Sequence, residues 1–313
     1  MPLSRARDCW YLTGPTAVGK TEIALALARQ LGAEIVSLDS MALYRGMDIG
    51  TAKPSPHERA LVPHHLIDIV EPHEEFSLAQ YVDAAIAAID EIRSRGREVL
   101  FAGGTPLYLK ALLRGIFSGP PADEALRGEL AAEARRREPG WLHNRLAAID
   151  PAAAARLHPN DTRRLIRAIE VYEKTGQPIS QWQQQFNVRR SADRCRVFVL
   201  DRPRAELHAR IDRRVEQMFA AGLVAEVGRL LSGPLPLSKT ACQAVGYREV
   251  IEHFEGRRGL PETIELVQQH TRQFARRQMT WFRSLSECRP LPIAGDVDVA
   301  EVTRRIAAAA GPD

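Results

Sequence analysis

Glycine, lysine and hydroxyl side chains stand at fixed spacing in Gly14-Pro15-Thr16-Ala17-Val18-Gly19-Lys20-Thr21. The octet reads G-x-x-x-x-G-K-[ST], the pattern of a loop that wraps phosphate. Gly14 and Gly19 allow the backbone N–H groups of Thr16, Ala17 and Val18 to converge on an anion. A helix starting near Lys20 adds positive potential from its N-terminus. Lys20 supplies a full charge, and the Thr21 hydroxyl is a candidate ligand for Mg²⁺. The chemistry expected is therefore recognition of a di- or triphosphate. Two further polar residues follow apolar runs: Asp39 after Glu34–Leu38, and Thr105 after Glu98–Ala102 and two glycines. A carboxylate there can act as a general base or a Mg²⁺ partner, or simply hold a turn. Thr105 brings a hydroxyl where nucleotide-hydrolysing relatives of the loop usually carry a Mg²⁺-binding Asp. That substitution counts against ATP hydrolysis.

The elements that must carry these residues alternate. Strands are expected at Cys9–Leu12, Glu34–Leu38, Glu98–Ala102, Arg196–Asp201 and near Leu291–Ile293. Helices are expected at Thr21–Leu31, stopped by Gly32, and at Ser77–Arg95, opened by a Ser77/Gln80 capping box. Alternating strands and helices define a parallel α/β sheet, with ligands gathered beyond the carboxyl ends of its strands. His64 and His65 fall in a turn-rich stretch; adjacent side chains on an extended chain diverge, so a shared metal is not expected. The run Ser118-Gly119-Pro120-Pro121-Ala122 interrupts the alternation. Helices then fill the chain to about Arg190, at 123–137, 140–149 and 161–174. The reading is a catalytic α/β core of residues 1–122 and 194–313 with an all-helical insertion at 123–193. Between 121 and 200 there are fourteen Lys and Arg against ten Asp and Glu, with Arg163, Arg164 and Arg167 close together; this excess suits an anionic partner.

Later helices are expected at 203–221, 241–254, 261–283 and 299–309. Arg210, Arg213 and Arg214 share the first of these, and any one could reach a bound diphosphate. The third holds four arginines and no acid from His270 to Arg283. At about 100° per residue, Arg272, Arg276 and Arg283 fall on one face and Val267, Phe274 and Trp281 on the opposite one. The first face reads as a track for a phosphate backbone and the second as the packing face. The four cysteines are scattered and no apolar run approaches a membrane span. A cytoplasmic protein with no membrane association follows as the expectation. With pI about 9.0 on a net charge of only +4, the position of the arginines matters more than their number.

These residues together resemble the bacterial tRNA dimethylallyltransferases, also called tRNA isopentenyltransferases. The resemblance rests on the octet at 14–21, on Asp-Ser-Met-Ala-Leu-Tyr-Arg-Gly-Met-Asp-Ile-Gly-Thr-Ala-Lys-Pro at 39–54, and on Pro-His-His-Leu-Ile-Asp at 63–68. It continues in Gly-Gly-Thr-Pro-Leu-Tyr at 103–108 and Arg-Arg-Gln-Met-Thr-Trp-Phe-Arg at 276–283. Pro106 stands where glycine is common in the family. The resemblance implies a P-loop NTPase-like core and transfer of a dimethylallyl group from dimethylallyl diphosphate to N6 of adenosine 37 of tRNA. It implies diphosphate binding by Gly14, Thr16, Ala17, Val18, Gly19, Lys20, Thr21 and Arg214, with Mg²⁺ on Thr21. Asp39 would be the general base, with Thr105 beside the reacting centre. Contact with tRNA is implied for Asp39, Ser40, Met41, Ala42, Thr105, Arg163, Arg164 and Arg167, and Arg127 would lie near the adenosine. The same holds for Gln243, Gly246, Tyr247 and Arg248, and for Arg272, Arg276, Arg277, Gln278, Trp281 and Arg283. A monomer is expected. Three rivals remain at this stage: a small-molecule kinase, a transferase acting on free adenine nucleotides, and an RNA-binding regulator.

Overall fold

The computed structural model describes residues 2–116, 119–182, 191–192 and 195–309. The chain divides into two compact units, one made of Met1–Leu113 with Arg190–Asp313 and the other of Arg114–Arg189. The division thus falls at 114–189, where sequence placed it at 123–193. The end of the expected helical stretch, 183–190, lies outside the described residues.

The first unit opens with α1 (Pro2–Arg7), β1 (Trp10–Thr13), α2 (Lys20–Leu31), β2 (Ala33–Ser37), α3 (Pro56–Leu61), β3 (His64–His65), α4 (Leu78–Ser94), β4 (Glu98–Gly103) and α5 (Pro106–Arg114). The second unit contributes α6 (Glu124–Arg136), α7 (Trp141–Ile149), α8 (Pro151–Ala154), α9 (Thr162–Thr175) and α10 (Ile179–Trp182). The first unit resumes with β5 (Val197–Asp201), α11 (Arg204–Ala220), α12 (Leu223–Leu231), α13 (Lys239–Cys242), α14 (Tyr247–Phe254), α15 (Leu260–Ser284), β6 (Arg289–Pro292) and α16 (Val299–Ala309).

The described strands form one six-stranded sheet in the order β3-β2-β4-β1-β5-β6, every pair parallel. Such strands are covered on both faces and so read as unbroken apolar runs; all four residues of β1 are buried. Leaving β1, the chain passes beyond β4 to form β2; leaving β4, it passes beyond β1 to form β5. The reversal opens a crevice at the carboxyl ends of β1 and β4. The phosphate loop leaves one of these strands and Gly103-Gly104-Thr105 the other. Leu12, Ile23, Leu27, Ile35, Leu100, Phe198, Ile211 and Ile306 belong to the core beneath it.

Several expectations need correction. His64 and His65 do not sit in a turn but form β3, pairing with Ile35 and Val36 at the sheet edge. Sequence also missed α3, α5 and α12, which are short and lack a long apolar period. The single helix expected at 241–254 is two, because Gly246 takes φ 95° and hands its N–H to Glu249. In the second unit, Leu130, Leu146, Leu165 and Ile169 form a separate core. Three of its helices, α6, α8 and α9, start at Asp123, Asp150 and Asp161, whose carboxylates accept from Leu126, Ala153 and Arg164 N–H groups.

Candidate active site

The phosphate loop bends as its sequence requires. Gly14 has φ 146° and Gly19 has φ 109°, and between them Ala17 is held at φ 62°. Gly14 has a second reason to lack a side chain, since a Cβ would sit 2.8 Å from the Leu200 carbonyl oxygen. Three side chains brace the loop from outside. Gln278 of α15 accepts from the Thr16 N–H at 2.9 Å and donates to the Gly104 carbonyl at 2.6 Å. Arg210 of α11 donates to the Ala17 carbonyl at 2.9 Å, and buried Arg202 lies 3.4 Å from that of Val18. A strained non-glycine conformation persists only where its surroundings hold it, and these contacts supply that restraint.

Lys20 opens α2 and donates to the carbonyls of Gly14 and Pro15 at 3.0 and 2.7 Å. Burial first, and then the nearby Arg214 charge, push its ammonium down to about 7, with Asp39 acting in the opposite sense. Arg214 is lowered too, chiefly by burial and against the pull of Asp39. Lys20, Arg214 and Asp39 therefore feel one another's charge. Two part-buried cations within electrostatic reach of one carboxylate leave a surplus of positive charge, which an anionic ligand neutralises. Thr21 is exposed in the first turn of α2, available to a metal that draws its remaining ligands from diphosphate oxygens and water. That fits Mg²⁺, which keeps several waters and takes few protein ligands. Among the described residues no group of three or more His, Cys, Asp and Glu is placed to hold a metal.

Across the crevice, Asp39 follows β2. Its Oδ1 accepts from the Met41 N–H at 2.8 Å and lies 3.4 Å from that of Ala42. The turn role and the chemical role are thus compatible, one oxygen holding the loop and Oδ2 making no hydrogen bond among the described residues. The Ser40 N–H donates to Thr105 Oγ1 at 3.1 Å, and Thr105 N–H to the Leu38 carbonyl at 3.0 Å. Gly103 is obligatory at this crossing, where a Cβ would lie 2.3 Å from the Leu38 backbone. Tyr81 donates to the Ser37 carbonyl at 2.9 Å and stacks on Tyr108 with ring centroids 3.6 Å apart. The structure thus brings Asp39, Ser40 and Thr105 together and puts Asp39 within electrostatic reach of Lys20 and Arg214.

Other residues singled out by sequence lie elsewhere. His65 Nε2 meets Glu34 at 2.7 Å, and Arg95 donates to the same carboxylate. Asp68 pairs with Lys53 and Arg59; burial acts to raise its carboxyl, but those two hydrogen bonds hold it below the usual range. Tyr247 is fully buried and Gln278 only 4% exposed, so neither lies on an open surface. Gly246 is buried too, Gln243 is exposed, and Arg248 donates to Glu249 at 2.5 Å. The packing face of α15 also differs from expectation. Val267, Ala275, Gln278, Met279 and Phe282 are buried, whereas Phe274 and Trp281 are 37% and 38% exposed. The buried arc includes a polar residue that hydropathy assigns to solvent. Nor does the arginine stripe lack acids in three dimensions: Arg272 pairs with Asp212, and Arg283 with Asp201 at 3.2 Å. Arg276 and Arg277 are exposed with no ion pair among the described residues. Arg272, Arg276 and Arg283 line a cavity of ≈ 810 Å³ with Arg204, His208 and Met279. Within the second unit, Arg163 and Arg164 are exposed, while Arg127 and Arg167 both donate to the buried Glu170 carboxylate.

Fold and site define a phosphate-loop α/β protein whose crevice joins an anion cradle to a carboxylate and a hydroxyl, with no acid ending the central strand β4. The IPP transferase family model matches residues 42–285, and the chain belongs to that family. It is 51% identical over 292 residues to a tRNA dimethylallyltransferase of Rhodopirellula baltica, covering 91% of this chain and 87% of the relative. It is 47% identical to one from Thermotoga petrophila, covering 88% of each. Among solved structures it resembles the full-length tRNA isopentenylpyrophosphate transferase of Bacillus halodurans at TM-score 0.70 and 39% identity, over 97% of both chains. A eukaryotic dimethylallyltransferase acting on tRNA superposes at TM-score 0.72 and 26% identity, over 91% of this chain and 73% of that one.

Proposed function

We propose that this protein transfers a dimethylallyl group from dimethylallyl diphosphate to N6 of adenosine 37, beside the anticodon of tRNA. The observation that carries this reading is the crevice at the carboxyl ends of the central strands, where Asp39 lies within electrostatic reach of Lys20 and Arg214. The diphosphate takes the N–H groups of Ala17, Val18 and Gly19, the Lys20 ammonium and the Arg214 guanidinium; the Thr16 N–H is held by Gln278, which leaves the Thr16 hydroxyl for the ligand. These groups stabilise the charge that develops as the allylic C–O bond breaks. Mg²⁺ bound at Thr21 would neutralise part of that charge. The N6 lone pair forms the new C–N bond as the diphosphate departs, and the N6 proton passes to Asp39. A neutral exocyclic amine is a weak nucleophile, so a positioned base is needed. Thr105 orients the Ser40 backbone beside the reacting centre. The adenosine must leave its stack to reach these groups. Exposed Arg276, Arg277 and Gln243, together with Arg163 and Arg164 of the second unit, are suited to hold the RNA backbone, and Trp281 offers a ring for stacking. Arg127, its guanidinium fixed by Glu170, is proposed to act on the acceptor nucleoside. Gly246, Tyr247 and Gln278 act from within, by supporting the loops that touch RNA. The protein works as a cytoplasmic monomer.

Incubation with dimethylallyl diphosphate, Mg²⁺ and unmodified anticodon stem-loop RNA, followed by nucleoside mass spectrometry, tests the reading. One dimethylallyl unit gained on the adenosine 3′ of the anticodon is the expected result. Modification of free AMP but not RNA would replace it with a nucleotide-acting transferase, and ADP formed from ATP with neither would point to a kinase.

A further inference from the structure

Glu226 of α12 is 2% exposed and makes no ion pair among the described residues. Its carboxylate is instead filled by neutral donors. Oε2 accepts from the N–H groups of Asp48 at 3.1 Å and Ile49 at 2.9 Å. Oε1 accepts from Gly50 N–H at 3.3 Å and from the Tyr247 hydroxyl at 2.6 Å. Burial and this carboxylate together push the Tyr247 phenol well above its usual range, so it remains a donor. A buried carboxylate costs several kcal/mol to desolvate unless its lone pairs are satisfied, as they are here. Packing adds to the fit, since a Cβ on Gly50 would fall 2.4 Å from the Tyr247 ring. Glu226 and Tyr247 therefore grip one turn of backbone, residues 48–50, from two different helices.

That turn is the far end of the segment that begins with Asp39. The near end is fixed by the Asp39 turn, and Lys53 ties the middle by donating to the Tyr44 carbonyl, Asp48 and Asp68. Asp68 N–H donates to the Ala42 carbonyl at 3.2 Å. The phosphate loop, by contrast, is braced by Gln278, Arg202 and Arg210, none of which touches Glu226. From this division we infer that Glu226 and Tyr247 are positioning residues, which set the segment carrying Asp39 for the acceptor base and leave diphosphate binding untouched. The inference rests on the proposed transfer reaction.

The test uses the full chain with E226A, E226Q and Y247F. Misplacing a reacting group by about 1 Å costs on the order of 100-fold in rate, so kcat for transfer should fall at least about tenfold in E226A. E226Q, which keeps one oxygen acceptor, should recover part of that loss. Affinity for inorganic diphosphate should stay within about twofold in all three. A merely structural role would lower both quantities together, and that result, or an unchanged kcat in folded E226A and Y247F, would overturn the inference. If E226A does not fold, Y247F decides, because it removes one hydroxyl and keeps the ring against Gly50. Amide hydrogen exchange separates this inference from the reaction itself. Faster exchange over residues 39–54 with no change over 14–21 supports the grip even if the wild-type protein proves to transfer nothing to RNA. Unchanged exchange over 39–54 sinks the grip even if transfer is confirmed.

Discussion

Lys20 departs far from the behaviour of its free side chain. With its ammonium pushed down to about 7 by burial and then by Arg214, about half of the ligand-free molecules hold it neutral near that pH. The neutral amine is the nucleophilic form. Labelling of Lys20 by an amine-acylating reagent should therefore rise with pH with a midpoint near 7, and diphosphate should protect it by restoring the charged form. A midpoint near the ordinary 10.5 would contradict the electrostatic picture of the cradle. Asp39 provides the second residue-scale prediction. Asp39→Asn preserves an oxygen for the Met41 N–H and removes the base, so kcat should fall by about 100-fold or more with diphosphate affinity little changed. Equal losses in rate and diphosphate affinity would make Asp39 a structural residue only.

At the scale of elements, α15 and the 39–54 segment do more than sequence suggests. Gln278 joins the phosphate loop to the end of β4 through one amide. Gln278→Ala leaves a buried N–H and a buried carbonyl unpaired, at roughly 2 kcal/mol or more, readable as a lower urea midpoint and weaker diphosphate binding. Retained affinity and stability would show that the loop holds its shape alone. Gly50→Ala should cost about 1–3 kcal/mol of overpacking against Tyr247, measured by the same unfolding curve. The difference in legibility has a physical origin. The phosphate loop, Asp39 and Thr105 could be found because each belongs to a local pattern: a contiguous motif, or the polar residue that ends a buried run. The bracing roles of Gln278, Glu226 and Arg210 could not, because each satisfies backbone groups from a remote part of the chain. Hydropathy placed Phe274 and Trp281 inside and Gln278 outside for the same reason, since period records greasiness and not the unmet hydrogen bonds of a neighbouring loop. Gly19 and Gly32 marked the ends of α2 well because their positive φ is itself the signal.

For the whole molecule, the alternation of elements was enough to define a parallel sheet, yet strand order, the edge strand β3 and the short helices depended on pairings that no single window contains. The charge distribution makes a prediction at this scale. Arg276 and Arg277 are exposed without partners among the described residues, so each should release about one counterion on contact with RNA. Replacing either with Ala should flatten the slope of log affinity against log salt by roughly 1; an unchanged slope would remove α15 from the RNA interface. The sheet order carries a consequence for synthesis. β1 lies at the centre, but its partners are β4 on one side and β5 on the other, with Tyr11 paired to Val197. At translation rates of roughly 5–20 residues per second, tens of seconds on the order of 10–40 s separate the emergence of those two strands. Throughout the interval between β1 and β5 the strand leading into the phosphate loop has at least one open edge, and all of Arg114–Arg189 leaves the ribosome before the last edge can close. The nascent chain is thus most exposed to mispairing where the finished protein is most deeply buried.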